Sequence, residues 1–354
     1  MYYDPMSSSN PHSKAELDAA GQLLQLCIGF IPAICLNAIV KLRVADHLAA
    51  GPQHVHDIAR TVGANEDALY RVMRALETVG VFRETGNRRF EQTPMSDLLR
   101  SDHPQSLRPF VEFFPDPLHF RCYANLMHAV RTGQATPQMT LGGSLFEYYA
   151  THPEDLAVFN AAMVNLTHVF IPAILDAYDF SEIRTLVDVG GGHGSVLASI
   201  LQKYPAMNGV LFDLDHVLHS AGAYLHAAGV SERCKRVGGD FFRSVPPGGD
   251  AYIMKNIIHD WDDEKCVTIL RNVKTALDGQ PRGKVLLLEF VLTPGGDPGD
   301  LQLGKWADIE MLVLPGGRER TEEEFRSLFA RSGFRLTRII PTKSPQSVIE
   351  AECV

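Results

Sequence analysis

Apolar and polar residues alternate along the second half of this chain in a pattern typical of strands separated by helices. Residues 196–204 and 322–332 have the apolar spacing of helices, and a further helix is expected to end near Gly229. Apolar runs of strand length occur at residues 186–189, 210–212, 251–254, 284–291, 334–340 and 347–353. Alternating strands and helices predict an α/β domain with a mostly parallel sheet, closed by a hairpin around residues 341–346.

The first half has a different pattern. Residues 56–61 and 66–78 predict two helices joined by a short turn, and residues 81–90 predict a hairpin with Gly86 and Asn87 at its tip. Such a winged helix-turn-helix often binds DNA, but it can also serve a structural purpose. Residues 107–180 have a mostly helical pattern interrupted by prolines and glycines.

Residues 23–40 form a nearly continuous apolar segment, close to the length of a membrane span. Gln25, Pro32 and Asn37 interrupt it, and no other stretch is comparable. A helix that is apolar all round can instead be buried in protein. The sequence therefore favours burial over membrane insertion.

Charge argues against a nucleic-acid partner. Residues 36–100 contain nine Lys and Arg against eight Asp and Glu, and the chain of 354 residues has a net charge of −9. A surface that follows nucleic-acid phosphates is expected to be more basic.

The length predicts two domains with a core that needs no disulfides.

The six cysteines have no C-x-x-C pair and no metal-ligand spacing, which predicts reduced thiols and no metal site. The first residues lack the basic and then apolar start of a secretory signal. A cytoplasmic enzyme is therefore expected.

A glycine-rich turn follows the first strand of the α/β half. Asp188, Gly190, Gly192 and Gly194 form the pattern D-x-G-x-G-x-G, and Asp213 ends the next apolar run. Glycines at these positions allow a ligand to approach the backbone, and an acid at the next strand end binds ribose hydroxyls in doubly wound sheets. The third glycine of the dinucleotide fingerprint is missing, which disfavours a nicotinamide cofactor. Asp188 would repel a pyrophosphate but attract an ammonium or sulfonium group, so S-adenosylmethionine fits best.

Six motifs in order resemble the small-molecule O-methyltransferases, the plant and bacterial natural-product family that includes caffeic acid and acetylserotonin methyltransferases. They are VDVGGGHG (187–194), GVLFDLDHV (209–217), GGDFF (238–242), MKNIIHDWDDE (254–264), LLLEFVL (286–292) and GGRERT (316–321), with a fainter match in FNAAM (159–163). The resemblance covers roughly residues 15–354. It implies a class I methyltransferase, Rossmann-like seven-stranded sheet with an N-terminal all-α, winged-helix dimerisation domain. The domains are then expected at residues 1–105 (dimerisation), 106–180 (helical linker and substrate pocket) and 181–354 (cofactor binding and catalysis).

The resemblance also implies that the protein is a homodimer joined through its N-terminal helices. It assigns S-adenosylmethionine, with S-adenosylhomocysteine as product, to Asp188, Gly190, Gly192, Asp213, Leu214, Gly239, Asp240, Phe241, Phe242 and Lys255. Asp213 would hold the ribose, and Asp240 and Phe241 would frame the adenine. Lys255 has an alternative role as a salt-bridge partner at the sheet edge.

The expected reaction needs a base, because a phenol with a pKa near ~10 is mostly protonated at neutral pH. His259 follows a strand end in the motif IIHDW, and histidine titrates closest to neutrality. Glu289 and Glu319 are expected to orient and polarise its imidazole, although Glu319 could instead be a solvated surface acid. Asp260 is expected either near the acceptor or, more simply, as a helix cap.

By the same resemblance the acceptor pocket is lined by Phe159, Met163, Leu166, Asp260, Glu310 and Met311. An aromatic and Met-rich stripe can equally be core, and Glu310 could turn to solvent. We expect O-methylation of a hydroxyl on a small aromatic or polyketide-like natural product, as in antibiotic biosynthesis. N- or C-methylation, or decarboxylation, hydroxylation or cyclisation with the same cofactor, remain open, and a winged-helix DNA-binding regulator is disfavoured.

Overall fold

The computed structural model describes residues 14–280, 283–296 and 302–354, with side chains from residue 18 onward. The expectation about a secretory signal falls on the first residues of the chain and lies outside this part. The chain divides into two compact units, one ending at Asp116 and the other running from Pro117 to Val354.

The first unit consists of helices and a small antiparallel sheet. Its helices are α1 (Lys14–Ile28), α2 (Phe30–Lys41), α3 (Val44–His47), α4 (Val55–Val62), α5 (Glu66–Glu77), α6 (Pro94–Asp97) and α7 (Arg108–Phe113). Its strands are β1 (Gln53–His54), β2 (Phe82–Gly86) and β3 (Arg89–Gln92), in the order β1-β3-β2. Gly63 ends α4 in the left-handed conformation and the Asn65 side chain caps α5, so the predicted helix pair forms. The hairpin turns at Gly86–Asn87 as predicted, with positive φ at both residues.

The apolar segment 23–40 has two different environments. Ile39 and Val40 at its end are buried in the core of the first unit. Nearer its start, exposed apolar side chains lie at Leu23, Leu24, Leu26, Ile28, Phe30, Ile31 and Ile34. Among the described residues, two helical stretches, Asp18–Lys41 and Pro153–Ala177, are long and apolar enough to span a membrane by length and composition alone. The expectation that no other stretch is comparable to residues 23–40 is therefore wrong.

Helix α7 belongs to the first unit because Asn37 of α2 donates hydrogen bonds to the backbone oxygens of Val111 (3.1 Å) and Glu112 (2.8 Å). The division at Asp116 thus differs from the expected boundary at residue 105. The expected linker of residues 106–180 is also split, because its part from Pro117 onward belongs to the second unit.

The second unit begins with five helices. These are α8 (Pro117–Tyr123), α9 (Leu126–Thr132), α10 (Pro137–Thr140), α11 (Leu145–Thr151) and the 25-residue α12 (Pro153–Ala177). The α/β part follows with β4 (Thr185–Val189), α13 (Ser195–Lys203), β5 (Asn208–Asp213), α14 (Asp215–Ala227), β6 (Cys234–Gly238), β7 (Ala251–Lys255), α15 (Asp263–Ala276), β8 (Lys284–Glu289), β9 (Val291–Leu292), α16 (Leu303–Val313), β10 (Arg320–Thr321), α17 (Glu322–Ser332), β11 (Phe334–Pro341) and β12 (Ser347–Cys353).

Seven strands form one sheet in the order β11-β12-β8-β7-β4-β5-β6. Strands β4 to β8 pair in parallel, and β12 runs antiparallel to both β8 and β11. The predicted strands and closing hairpin are therefore confirmed. One apolar cluster contains residues of α15 and α17, and another contains residues of α12, α13 and α14.

Parallel strands bring their carboxyl ends to one edge of a sheet, where ligands of such folds bind. Asp188 is the fourth residue of β4, and the last residues of β5, β7 and β8 are Asp213, Lys255 and Glu289. The fold therefore gathers these four charged residues along one edge.

Candidate active site

The turn after β4 has a backbone that favours glycine. Gly190, Gly192 and Gly194 have φ values of 71°, 58° and 81°, in the left-handed region. A Cβ atom at Gly190 would lie 2.6 Å from Ile257 Cδ1, and one at Gly191 would lie 2.6 Å from Asp188 Oδ2. The turn thus lies directly against the Asp188 carboxylate and the segment that leads to His259.

Asp188 is buried beneath this turn, with 1% of its surface exposed. Its Oδ2 atom accepts no hydrogen bond within the described part of the chain. Burial and the nearby Asp213 raise the pKa of Asp188 to about 7. A buried carboxylate oxygen without a donor is costly, and a cationic ligand group would remove that cost.

Asp213 is held by backbone donors. Its Oδ2 accepts from Gly192 N at 2.8 Å and its Oδ1 accepts from Leu214 N at 2.7 Å. Burial raises the pKa of Asp213, and these two hydrogen bonds oppose the increase. The carboxylate is thereby fixed beside the glycine turn. Leu214 itself has 45% of its surface exposed.

Lys255 lies at the end of β7, between the charges of Asp188 and Glu289. Burial lowers its pKa to about 8, while the attraction of Glu289 and Asp188 opposes this change. Lys255 thus lies near two acids at the carboxyl edge of the sheet, which is compatible with either of its expected roles.

An aromatic cluster lies after β6. Phe241 and Phe242 contact each other edge-to-face, with ring centroids 4.8 Å apart, and both contact Trp261 at 6.2 and 4.9 Å. Asp240 accepts a hydrogen bond from Phe242 N at 2.8 Å. A Cβ at Gly239 would lie 2.6 Å from the Phe212 ring, so the backbone passes close to β5 there.

These residues fit a nucleoside cofactor with a cationic end. Asp213 beside the glycine turn suits ribose hydroxyls, and the aromatic cluster suits an adenine ring. The unpaired oxygen of Asp188 suits an ammonium or sulfonium group and disfavours a phosphate.

His259 lies in a short 3-10 turn, Ile258–Asp260, directly after β7. Its imidazole Nδ1 lies 2.7 Å from Glu319 Oε1 and 3.6 Å from Glu289 Oε2, and all three residues are buried. A carboxylate can only accept, so Nδ1 donates to Glu319. The alternative of Glu319 as a solvated surface acid is wrong, because 3% of that residue is exposed.

Glu289 also fixes the backbone of the His259 turn. Its Oε1 accepts from Ile257 N at 3.1 Å and from Ile258 N at 3.0 Å. The turn begins at Asn256, whose φ of 54° lies in the left-handed region that asparagine tolerates better than most residues. Glu289 thus contacts the histidine turn through both backbone and imidazole.

Three acids change the protonation of His259. Burial lowers its pKa, but the charges of Glu289, Glu319 and Asp260 outweigh burial and raise the pKa to about 10. Burial has the opposite effect on the neighbouring acids and raises the pKa of Glu289 and of Asp260. The charge of His259 opposes both increases. The acidic surroundings therefore favour the protonated imidazole and raise the pH range over which His259 loses its proton.

Asp260 does not cap the following helix. Asp262 caps α15 by accepting from Lys265 N at 2.9 Å, so the helix-cap interpretation of Asp260 is wrong. Asp260 Oδ1 instead lies 3.5 Å from His259 Nε2.

One cluster of side chains has the spacing of a metal site. It contains one possible ligand atom from each of His259, Glu289 and Glu319, and these atoms lie within 4.8 Å of one another. Here Nδ1 is bonded to Glu319, and Glu289 Oε1 accepts two backbone N–H groups. The geometry is that of a hydrogen-bonded histidine with acidic partners.

The expected acceptor residues lie on two helices. Phe159, Met163 and Leu166 are half-buried on α12, and Phe159 stacks on Tyr149 with ring centroids 5.1 Å apart. Glu310 and Met311 are buried on α16. Phe159 belongs to the same apolar cluster as Tyr123 and Ile309, which joins the two helices.

Glu310 does not turn to solvent. Tyr123 Oη donates to its Oε2 at 2.6 Å, and His119 Nε2 lies 3.1 Å from its Oε1. Burial and the Glu310 charge raise the pKa of Tyr123, which keeps the phenol protonated. His119 and Glu310 are buried and Tyr123 is half-buried, and the three side chains form one polar group.

A family model described as an O-methyltransferase domain matches residues 123–335, and one described as an O-methyltransferase dimerisation domain matches residues 24–102. The chain belongs to the O-methyltransferase family. A phenazine O-methyltransferase of Lysobacter antibioticus is 43% identical over 93% of this chain and 95% of its own length. An 8-amino-8-demethylriboflavin N,N-dimethyltransferase of Streptomyces davaonensis is 36% identical over 96% of this chain and 97% of its own.

The crystal structure of human N-acetylserotonin methyltransferase in complex with S-adenosylmethionine matches this fold with a TM-score of 0.86. It is 25% identical and covers 98% of this chain and 99% of its own. The methyltransferase thus has the class I fold and uses S-adenosylmethionine, as expected.

Sequence reasoning missed two residues of this methyltransferase's site. Trp261 stacks with Phe146 at 5.7 Å and contacts the aromatic cluster, and Arg320 is buried against the His259 turn. The position of Trp261, two residues after His259, is a signal that could have found it. An arginine in the loop GGRERT has no such signal, because arginines in loops are mostly exposed.

Proposed function

We propose that this methyltransferase transfers a methyl group to a hydroxyl of a small planar aromatic natural product, with His259 as general base. The observation that carries the proposal is the 2.7 Å hydrogen bond between Nδ1 of the buried His259 and Glu319. Because this bond occupies Nδ1, the lone pair of the neutral imidazole lies on Nε2, the atom that can take a proton from a hydroxyl.

S-adenosylmethionine supplies an electrophilic methyl group on a sulfonium when it is bound. In this proposal Asp213 holds the ribose, and Gly190 and Gly192 approach the methionine end. Phe241, Phe242 and Asp240 hold the adenine with Trp261. Asp188 attracts the cationic end through its buried oxygen that lacks a donor within the described chain. Leu214, Gly239 and Lys255 complete the proposed contacts.

The proton of the acceptor hydroxyl passes to Nε2 of His259 in the proposed reaction. Glu289, Glu319 and Asp260 stabilise the resulting imidazolium, which is the effect that raises the pKa of His259 to about 10. Their charges make His259 a stronger base than an ordinary histidine, and they also leave less of it free of a proton at neutral pH. Activity should therefore increase with pH above neutrality.

The acceptor is proposed to lie against Phe159, Met163, Leu166 and Met311, near Asp260. Aromatic and thioether side chains suit a planar ring system, and the relative that acts on phenazine fits this chemistry. Glu310, held by Tyr123 and His119, adds a carboxylate that favours an acceptor with an N–H or O–H donor.

N-methylation is the second candidate, because a relative of 36% identity is named an N,N-dimethyltransferase. An amine acceptor must also lose a proton, so His259 would keep its role. Comparing hydroxy and amino forms of one ring system separates the two reactions.

The proposal of a cytoplasmic homodimer rests on the dimerisation-domain match. The match of residues 24–102 to a dimerisation domain supports a homodimer joined through the N-terminal helices. It also gives the apolar segment a protein partner in place of a membrane, consistent with a cytoplasmic enzyme. The net charge of −9 argues against nucleic acid as a partner.

The first prediction concerns His259. Replacing it with Ala should lower turnover of a hydroxyphenazine by about 10²–10⁴, the range that a general base contributes. Affinity for S-adenosylmethionine, measured by calorimetry, should change little, because the proposed contact of the imidazole is with the acceptor. The wild-type kcat/KM should rise with pH from about 7 toward 10, because a protonated His259 cannot accept a proton.

His168→Ala is the matched control, since His168 bonds Tyr224 on the surface between α12 and α14 and has no proposed role. It should keep wild-type turnover. An unchanged rate in His259→Ala would remove His259 from the mechanism as general base. A kcat/KM that is flat above pH 6 would contradict the proposed protonation state.

A further inference from the structure

The Arg320 guanidinium is buried at the site but has no part in the chemistry proposed above. The residue is 1% exposed and begins β10, which pairs in parallel with β9. A buried cation is costly unless hydrogen bonds and an opposite charge compensate it. Its partners therefore indicate what the arginine does.

Most of these partners belong to the turn that carries His259 and to the start of α15. Nη1 donates to Ile258 O at 3.0 Å, and Nη2 donates to Trp261 O at 2.9 Å. Nε and Nη2 donate to Asp263 Oδ1 at 3.1 and 2.8 Å. Nη1 also reaches Arg318 O at 3.3 Å, and Nη2 lies 3.5 Å from Cys266 Sγ.

The guanidinium thus bridges the carbonyl groups on either side of His259 and Asp260. The residues just before Arg320 contact the same turn. Arg318 N donates to His259 O at 2.8 Å, and a Cβ at Gly317 would lie 1.9 Å from that oxygen. Glu319, between these contacts, binds the imidazole. One four-residue segment therefore fixes the backbone and the side chain of His259 together.

We propose that Arg320 is a positioning residue that holds the His259 turn against the 317–320 segment, so that Glu319 stays aligned with Nδ1. The consequence for catalysis rests on the proposed role of His259 as base, whereas the positioning itself does not. Arginine suits the task because its rigid planar fork reaches two carbonyls and one carboxylate at once. Lysine keeps the charge but has one compact ammonium group, and it cannot span the same acceptors.

The test compares Arg320→Lys with Arg233→Lys. Arg233 is a matched control because its guanidinium also donates to backbone carbonyls, those of Met207 (2.7 Å) and Leu201 (3.0 Å), away from the site. The first readout is the His259 imidazole in ¹⁵N-labelled protein with no ligand added, assigned with His259→Asn. Arg320→Lys should lose the downfield Nδ1 proton signal and lower the imidazole pKa, and Arg233→Lys should change neither.

The second readout is turnover of a hydroxyphenazine. Arg320→Lys should lower kcat about 10–100-fold, the cost of misplacing a catalytic group, while KM for S-adenosylmethionine stays within about threefold. Arg233→Lys should keep kcat even if it lowers the melting temperature. If Arg320→Lys does not fold, Asp263→Asn replaces it, because Asp263 is partly exposed and anchors the guanidinium. It should give a smaller change of the same sign.

An unchanged His259 signal and pKa in folded Arg320→Lys would overturn the positioning role. Equal changes of the His259 signal and pKa in the Arg233→Lys control would also overturn the positioning role. A changed signal together with full activity in His259→Ala would support the positioning of the turn while rejecting His259 as base, so the two proposals fail separately.

Discussion

Asp188 and Asp213 are carboxylates at the same sheet edge, but their hydrogen bonds differ. Both Asp213 oxygens accept backbone N–H groups, whereas Asp188 Oδ2 accepts none within the described residues. An oriented carboxylate with lone pairs to spare suits neutral hydroxyl donors. A buried oxygen that lacks a donor suits a cation. The two acids therefore suit opposite ends of the cofactor.

Removing the Asp213 carboxylate should weaken cofactor binding. Asp213→Ala should weaken binding of S-adenosylmethionine by roughly 1.5–3 kcal/mol, the scale of losing hydrogen bonds to a charged acceptor. Titration calorimetry measures this directly. Asp179→Ala is the control, since Asp179 is exposed and accepts hydrogen bonds from Ser181 and Tyr204, neither of which has a proposed role. Equal affinity of wild type and Asp213→Ala would mean that the ribose lies elsewhere.

Single residues of the site could be predicted from the sequence where a strand end defines their place. Asp213, Lys255 and Glu289 follow from the parallel topology, because strand ends meet at one edge. Contacts across long sequence separations could not be derived from spacing. Glu319 lies 60 residues from His259, and its burial depends on how the loop before α17 folds back. Only the family resemblance indicated that contact.

Elements were predictable where the apolar pattern is short and bounded. The strands at Ala251–Lys255 and Ser347–Cys353 match the predicted runs to within a residue, since each is an apolar run between turn residues. The helices between residues 107 and 180 could be predicted only as a helical region. Their lengths of four to seven residues before α12 are too short for the helical period to resolve.

The closing hairpin contains a buried acid that was not predicted. Glu350 of β12 is 3% exposed and accepts from Tyr178 Oη at 2.6 Å, Thr337 Oγ1 at 2.9 Å and Arg338 Nε at 3.0 Å. Burial alone would raise its pKa, but Arg338, Tyr178, Thr337 and Lys284 lower the pKa to about 2. The hairpin is thus joined through one carboxylate to Tyr178, directly after α12, and to Lys284 of β8.

The stability of this element should therefore depend on pH. The folded pKa lies below the unfolded value, so the contribution is complete above about pH 4.5 and disappears as pH falls toward 2. It amounts to at most about 3 kcal/mol by the usual conversion of pKa into free energy, and to less where solvent screens the charges. Glu350→Gln should lower the unfolding free energy at pH 7, and its deficit should shrink below pH 4. Urea denaturation measures both, with Glu352→Gln on the same strand as control. A deficit that does not vary with pH would contradict the charge-based explanation.

The division of the chain into two units depends on side-chain hydrogen bonds that a sequence pattern does not reveal. Asn37 joins α7 to the first unit, and neither Asn37 nor residues 108–113 carry a signal for that pairing. The net charge and the near balance of charges in the winged helix disfavour a nucleic-acid function, and this prediction needs the sequence alone. Net charge can be counted from the sequence, whereas the contacts between helices depend on the folded structure.

Apolar side chains are exposed along α1 and α2. Leu24, Leu26 and Phe30 have 68%, 75% and 54% of their surfaces exposed, within the segment matched by the dimerisation model. An apolar face of this kind is expected to be covered, and the match to a dimerisation domain makes a second copy of the chain the proposed partner. The wild-type protein should therefore sediment as a dimer in detergent-free buffer.

Leu24→Asp should shift this equilibrium toward monomer, because a buried unpaired carboxylate at the interface is costly. Val130→Asp is the matched control, since Val130 on α9 is 64% exposed and lies outside the dimerisation segment. Sedimentation velocity over a concentration series should show dissociation of the first variant alone. Recovery of the wild type only from membranes, or a stable wild-type monomer, would reject the dimer and give the apolar segment a different partner.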